Sequence, residues 1–207
     1  MNRLLKLLFI ILGIALFILG GFYLFLHIAF DGLFTGVSYD KKDLIENYEK
    51  CTDEILDVKN YFISILPKGT DITLEFDNDK ELGIFHVTID SIHQSNWNLK
   101  INSLKVDSLL NEINWTKEKL KTLKEKLDKA NCISIAGRAP VVIGWQRSGM
   151  GLFSYVLFDQ NLNEDMINDY NDGCSYIFYK DNIVLEYGGG AIGIQCFPDF
   201  YKDKSEK

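Results

Sequence analysis

From Leu7 to Leu26 the chain runs for twenty residues without a charged side chain. A helix over that run, rising 1.5 Å per residue, is about 30 Å long, the thickness of a bilayer's hydrocarbon core. Core helices of globular domains rarely stay apolar on every side for that length. A cleaved signal peptide is the main competitor. Its apolar region is about 7 to 15 residues and a small-x-small site follows closely. Here the nearest such pattern, Gly36-Val37-Ser38, lies well beyond Phe30, and the first cysteine is Cys51, too late for a lipoprotein site. The expectation is a transmembrane signal anchor in residues 1–30, with residues 7–26 in the membrane.

Arg3 and Lys6 stand directly before the span, Asp31 is the first charge after it, and Lys41 and Lys42 come only further on. Basic flanks stay on the cytoplasmic side. This predicts a single-pass protein of the inner (cytoplasmic) membrane, with its N-terminus in the cytoplasm and its domain in the periplasm or outside. Of 22 bases and 29 acids, Arg3 and Lys6 belong to the anchor; 20 bases face 29 acids over residues 31–207, a net −9. Such an acidic domain excludes nucleic acid as the default partner. Residues 31–38 (DGLFTGVS) form a short tether of at most about 26 Å, and residues 39–207 form the extracytoplasmic domain.

Within that domain Asp40 is a good N-cap, Tyr39 and Leu44 occupy staple positions, and Pro67 stops a long helix expected from Tyr39 to Leu66. Its apolar stripe is Leu44, Tyr48, Cys51, Ile55, Val58, Phe62 and Ile65. Ile45, Leu56, Tyr61 and Leu66 widen it beyond a coiled-coil seam, which suits a helix lying on a sheet. Alternation at Ile72, Leu74, Phe76 and at Phe85, Val87, Ile89 predicts a hairpin, continued by Trp97, Leu99 and Ile101. A short helix (108–113) and a second long helix (116–130) follow. Strands are expected at 132–136, 141–145 and 152–158, then a small helix capped by Asn163, then a hairpin of 176–179 and 183–187. Strands grouped in blocks with short turns predict an α+β domain with a mainly antiparallel sheet covered by two long helices.

Most motif-level candidates fail on their chemistry. Gly188, Gly190 and Gly193 satisfy GxGxxG, but Pro198 follows too soon for a helix to hold a pyrophosphate, so no nucleotide is expected. Asp159, Asn161 and Asn163 resemble the start of a calcium loop, yet Glu164 replaces the turn glycine and Tyr170 the bidentate acid. His86 and His93 have no metal-ligand spacing, and His27 lies at the outer end of the span. Ser148, Ser154 and Cys132 lack a nucleophile motif. No catalytic residue, metal or cofactor is therefore assigned.

Two surfaces remain. Arg138 and Arg147, the only arginines of the domain, bracket the strand that carries Trp145, beside the glycines of GWQRSGMG. Arg and Trp are common binding anchors, so Arg138, Trp145 and Arg147 form the candidate protein-binding site. Lys117, Lys119, Lys121, Lys124, Lys126 and Lys129 make the second helix locally positive, either a solvated face or a surface for anionic lipid. The four cysteines, in a compartment that permits disulfides, allow three full pairings. Cys174–Cys196 is the expected bond: with Asp181 and Asn182 as the turn, Cys174 falls opposite Gly189, and a glycine-rich crossing returns a terminal strand beside it. Cys51 with Cys132 is the competing pair.

These features favour a membrane-tethered protein-binding module, a protective or inhibitory immunity-like protein being one concrete form, with an unidentified protein partner. A structural subunit of an envelope complex is the alternative. An envelope hydrolase is disfavoured for want of a triad or metal signature.

Overall fold

The computed structural model describes residues 12–14, 16–23, 39–148, 151–189, 193 and 195–200. It divides into two units, Met1–Ser38 and Tyr39–Lys207. In the first, residues 12–14 and 16–23 are helical, and Leu12, Ile14, Leu16, Phe17, Ile18, Leu19, Phe22 and Tyr23 are exposed. Among the described residues no helix is long and apolar enough to cross a membrane. The expected span over residues 7–26 lies partly outside the described residues, and the tether over 31–38 wholly so.

The second unit opens with α1 (Lys41–Lys50), fixed by a capping box. The Asp40 carboxylate accepts the N–H groups of Lys42 at 2.8 Å and Asp43 at 3.2 Å, and Asp43 accepts that of Asp40 at 2.8 Å. One helix was expected to continue to Leu66. Instead it breaks at Cys51 (φ −121°, ψ 28°), and α2 runs from Thr52 to Ile65. The Thr52 hydroxyl donates to the Tyr48 carbonyl at 2.6 Å, taking the acceptor that the Thr52 N–H would use in a straight helix. The buried stripe survives the break, with Leu44, Tyr48, Cys51, Ile55, Val58 and Phe62 all inside.

Three strands follow as a meander: β1 (Thr70–Asn78), β2 (Glu81–Ile89) and β3 (Ile92–Lys100). Next come α3 (Leu104–Glu112), capped by Ser103 and longer than the 108–113 segment expected, and α4 (Lys117–Lys129), capped by Thr116. The chain continues through β4 (Ser134–Gly137), β5 (Val141–Ser148), β6 (Gly151–Leu157), α5 (Glu164–Asp169), β7 (Tyr176–Lys180) and β8 (Ile183–Gly188). All eight strands join one sheet in the order β3-β2-β1-β4-β5-β6-β8-β7. Every neighbouring pair is antiparallel. The domain is α+β, with the return through α3 and α4 placing β4 beside β1 rather than β3.

Helices α1 to α4 share one core with the inner face of the sheet, where Ile72, Leu74, Phe85, Ile135, Ile143, Tyr155 and Leu185 are buried. A smaller cluster occupies part of the opposite face: Val156, Phe158, Leu162 and Val184, against which Met166 and Ile167 of α5 pack. Two buried polar side chains, Asn47 and Lys59, find partners across the core. Asn47 donates to the Ala130 carbonyl at 3.2 Å and to the Tyr155 hydroxyl at 3.0 Å, while Tyr155 donates to the Leu44 carbonyl at 2.9 Å. Lys59, on α2, donates to the Phe158 carbonyl at 2.8 Å and pairs with Asp159 at 3.0 Å. These bonds lock α1 and α2 to the sheet and its following loop.

Candidate functional site: the open half of the outer sheet face

The strand registers align one row of residues across the outer face. Trp97 pairs with Ile84, Ile84 with Glu75, Glu75 with Ser134, Ser134 with Gly144, Gly144 with Ser154, Ser154 with Glu186, and Glu186 with Tyr176. At Gly144 an added Cβ would fall 2.0 Å from the Ser134 Oγ and 2.8 Å from the Leu152 Cδ2, so only glycine fits beneath them. Helix α5 covers the β6–β8–β7 end of this face; the β1–β2–β3 end carries no such helix among the described residues.

Trp97 dominates that uncovered end, 58% exposed. Simple alternation would put it on the same side as Leu99. It does not, because Asn98 adopts φ 52° opposite Gly83, the extra residue in β2 where Glu75↔Ile84 is followed by Phe76↔Leu82. This bulge turns Leu82 and Leu99 toward the core while Ile84 and Trp97 face out. Gly83 is required: its Cβ would lie 2.3 Å from the Asp77 Oδ1.

Beside Trp97 lies His86, ring centroids 5.0 Å apart, with His93 a further 5.7 Å from His86. His93 is held by two hydroxyls, Thr88 Oγ1 on Nδ1 at 2.9 Å and Ser95 Oγ on Nε2 at 2.6 Å. Burial, and secondarily the neighbouring His93, pushes the His86 pKa below its ordinary value of 6.5. Ser95 has an imidazole neighbour, but the group behind that ring is the Thr88 hydroxyl rather than a carboxylate, and all three lie on an open sheet. This geometry suits contact, not nucleophilic catalysis.

The floor of the site is charged. Glu75, 5% exposed, accepts two hydrogen bonds from one edge of the Arg147 guanidinium, from Nε at 2.5 Å and from Nη2 at 2.6 Å. That pairing raises the Arg147 pKa. The Asp77 carboxyl is raised by burial and by Glu75 and Glu81, with Arg147 opposing. Further along the row, burial raises Glu186, whose Oε1 accepts the Tyr176 hydroxyl at 3.2 Å.

The three residues expected to form the binding surface do not come together. Arg138 stands in the turn before β5 and Arg147 near the far end of that strand, about 20 Å apart at 3.3 Å per residue. Arg138 bonds the carbonyls of Pro67 and Thr70, the latter at 3.4 Å, and ties the β4–β5 turn to the entry of β1. Trp145 is 5% exposed, at a register shift between Gly144 and Gln146, with ring centroids 4.7 Å from Tyr39 and 6.1 Å from Phe153. It is a core residue. The surface tryptophan is Trp97, and the signal that marks it is a pair of turn-forming residues, Gly83 and Asn98, inside strand patterns.

Cys174 and Cys196 are joined, with S–S 2.00 Å and Cα–Cα 4.2 Å, while Cys51 and Cys132 are free and buried. The partner strand differs in detail from expectation. A bulge between Phe178 and Lys180 shifts the hairpin register by one, and residues 195–197 form no strand. Phe197 nonetheless docks in the core and donates its N–H to the Cys174 carbonyl at 2.8 Å. Parts of the glycine-rich crossing, residues 190–192 and 194, lie outside the described residues.

The lysines of α4 are mostly engaged. Lys117 pairs with Asp107 at 2.7 Å, Lys121 with Glu125 at 3.6 Å, and Lys126 with Asp57 at 2.5 Å. Lys124 lies between Asp79 at 3.1 Å and Asp128 at 2.6 Å, beside a groove of about 500 Å³ floored by Phe76, Ile101 and Leu120. Its charges largely cancel, which removes the motive for lipid contact. Among the described residues no cluster of three or more His, Cys, Asp or Glu side chains is arranged to hold a metal ion.

The fold and site together define an antiparallel α+β domain with a half-open sheet face. No family model matches the chain, and no curated protein or solved structure matches it either.

Proposed function

We propose that this chain is a membrane-tethered, extracytoplasmic protein-binding module that engages its partner through the open β1–β2–β3 end of the sheet. One observation carries the reading. The exposed large apolar side chains described in the second unit are Ile92, Trp97 and Leu104, and all three lie on β3 or at the start of the helix that follows it. A Trp beside a histidine, with a charged floor, is the composition of a protein contact rather than of a solvated sheet. The tethering half of the proposal is supported by the uncharged run Leu7–Leu26 and by the charge asymmetry around it. Exposed apolar side chains at the consecutive helical positions Leu16, Phe17, Ile18 and Leu19 point to every side of that helix, as a lipid environment favours.

A photo-crosslinking residue at position 97 of the full-length chain, in intact membranes, tests the binding reading. The expected product is a discrete adduct with a different protein, missing when the probe stands at exposed Glu125 on α4. Equal labelling at both positions, or no heterologous adduct at position 97, would overturn it.

A further inference from the structure

The two outermost strands of the sheet are finished differently. At β7 the N–H groups of Tyr176 and Phe178 donate to the side chains of Asp172 at 2.9 Å and Asn171 at 3.1 Å, and the Tyr176 carbonyl accepts the Gly173 N–H at 3.2 Å. Local groups therefore occupy that edge. Among the described residues β3 pairs with β2 alone. Exposed edges are templates for another strand, and proteins usually guard them with Lys, Pro or an inward charge. Residues 91–99 (SIHQSNWNL) contain no Asp, Glu, Lys, Arg or Pro, and they are flanked by Asp90 and Lys100.

We propose that β3 pairs antiparallel with β3 of a second copy of this chain, about a two-fold axis at Ser95. The charge layout selects both occupant and register. A strand with an acid at one end, a base at the other and nothing charged between complements itself only when antiparallel. Centring on Ser95 sets Lys100 of each copy opposite Asp90 of the other, and Asp90 is exposed in the β2–β3 turn. The same register puts Trp97 opposite His93 of the other copy. Both residues face outward, so Trp97, already 5.0 Å from His86, gains a second ring on its free side. Ile92, 68% exposed, comes to lie along the new strand. The contact is isologous and closes after two copies. It is also small against a standard interface, so the dimer is a weak one, formed at micromolar concentration or above. The inference goes beyond the proposed function: pairing at the edge leaves the outer face open, and it requires no other protein.

The full chain in detergent micelles, followed by sedimentation and by oxidative crosslinking, tests it. Ser95→Cys is expected to yield a disulfide-linked dimer under mild oxidation, whereas Asn96→Cys, which faces Gln94 of the other copy in this register, yields little. Lys100→Asp should weaken reversible association roughly tenfold by setting carboxylates together at both ends. Asp90→Lys combined with Lys100→Asp should restore it. Circular dichroism of each variant shows whether the fold is intact, and the charge variants at the exposed Asp90 and Lys100 are expected to match wild type. A chain that stays monomeric up to about 1 mM with no Ser95→Cys crosslink would overturn the proposal, as would a dimer indifferent to both charge variants. Neither result bears on the heterologous adduct expected at position 97.

Discussion

Arg147, on β5, holds Glu75, on β1, the two side chains forming a bidentate ion pair in which the carboxylate is buried and the Arg147 side chain is 31% exposed. Neither residue is near the other in sequence. The sheet order brings them together, with only the four-residue β4 between their strands.

Arg147→Ala leaves a buried carboxylate without its cation. Urea unfolding is expected to show a loss of about 2 to 3 kcal/mol, the lower part of the range for broken buried pairs because Arg147 is partly hydrated. Glu75→Leu combined with Arg147→Leu should recover most of that loss. Additive losses in the double variant would show that the two side chains are not coupled.

The two tryptophans should separate cleanly in stability. Trp145→Ala opens a cavity between Tyr39 and Phe153 and is expected to cost about 3 to 5 kcal/mol. Trp97→Ala removes a side chain that is mostly in water, and the unfolding free energy should move by no more than about 0.5 kcal/mol. Equal losses would mean that Trp97 is packed rather than displayed.

Glu186 makes stability depend on pH in a stated direction. Its folded pKa is raised above the ordinary 4.5 by burial, so the folded state binds the proton more tightly than the unfolded state does. Stability therefore falls as pH rises from about 4.5 through the raised value. Glu186→Gln, which can still accept the Tyr176 hydroxyl, should raise the melting temperature at pH 7 and give no advantage below pH 4. A gain that is constant across pH would place the effect outside this titration.

The cysteines divide into a bonded pair and two enclosed thiols. Alkylation of native, nonreduced protein is expected to label none, and after unfolding to label Cys51 and Cys132 only, with a peptide linking Cys174 to Cys196. Burial raises the Cys132 thiol pKa, which further slows its reaction when folded. Cys174→Ser with Cys196→Ser should cost about 3 kcal/mol, the chain-entropy value for a loop of this length. Four reactive thiols in the unfolded chain would refute the pairing.

Topology is checked by fusion after Lys207. Alkaline phosphatase there should be active, and a reporter that works only in the cytoplasm should be silent. The opposite pattern would invert the orientation, and an isolated protein beginning at Tyr39 would show that the anchor is removed.

Local chemistry made several elements legible without any structure. Asp40, Thr116 and Asn163 cap helices because a short acceptor side chain before an apolar period satisfies the free N–H groups of the first turn. The hairpin turn at Asp181-Asn182 and the buried stripe from Leu44 to Phe62 depend on residues close in sequence, and the order of the expected elements, strands in blocks joined by short turns, supplied the α+β class. Tertiary structure decided what depends on residues far apart. The 4,3,4,3 spacing through Cys51 is equally consistent with a straight helix, and the break at Cys51, where the Thr52 hydroxyl takes the Tyr48 carbonyl, shows only in the packed domain. Trp97 and Trp145 both sit in strand patterns, but the bulge at Gly83 and Asn98 carries one outward, while the register shift after Gly144 leaves the other against Tyr39. Two-residue periodicity assigns a side chain to a face only while the ladder is regular, and each bulge resets that assignment by one residue. The Glu75–Arg147 pair was equally out of reach, since β4 lies next to β1 only through a crossover by two helices whose apolar stripes do not specify where they pack.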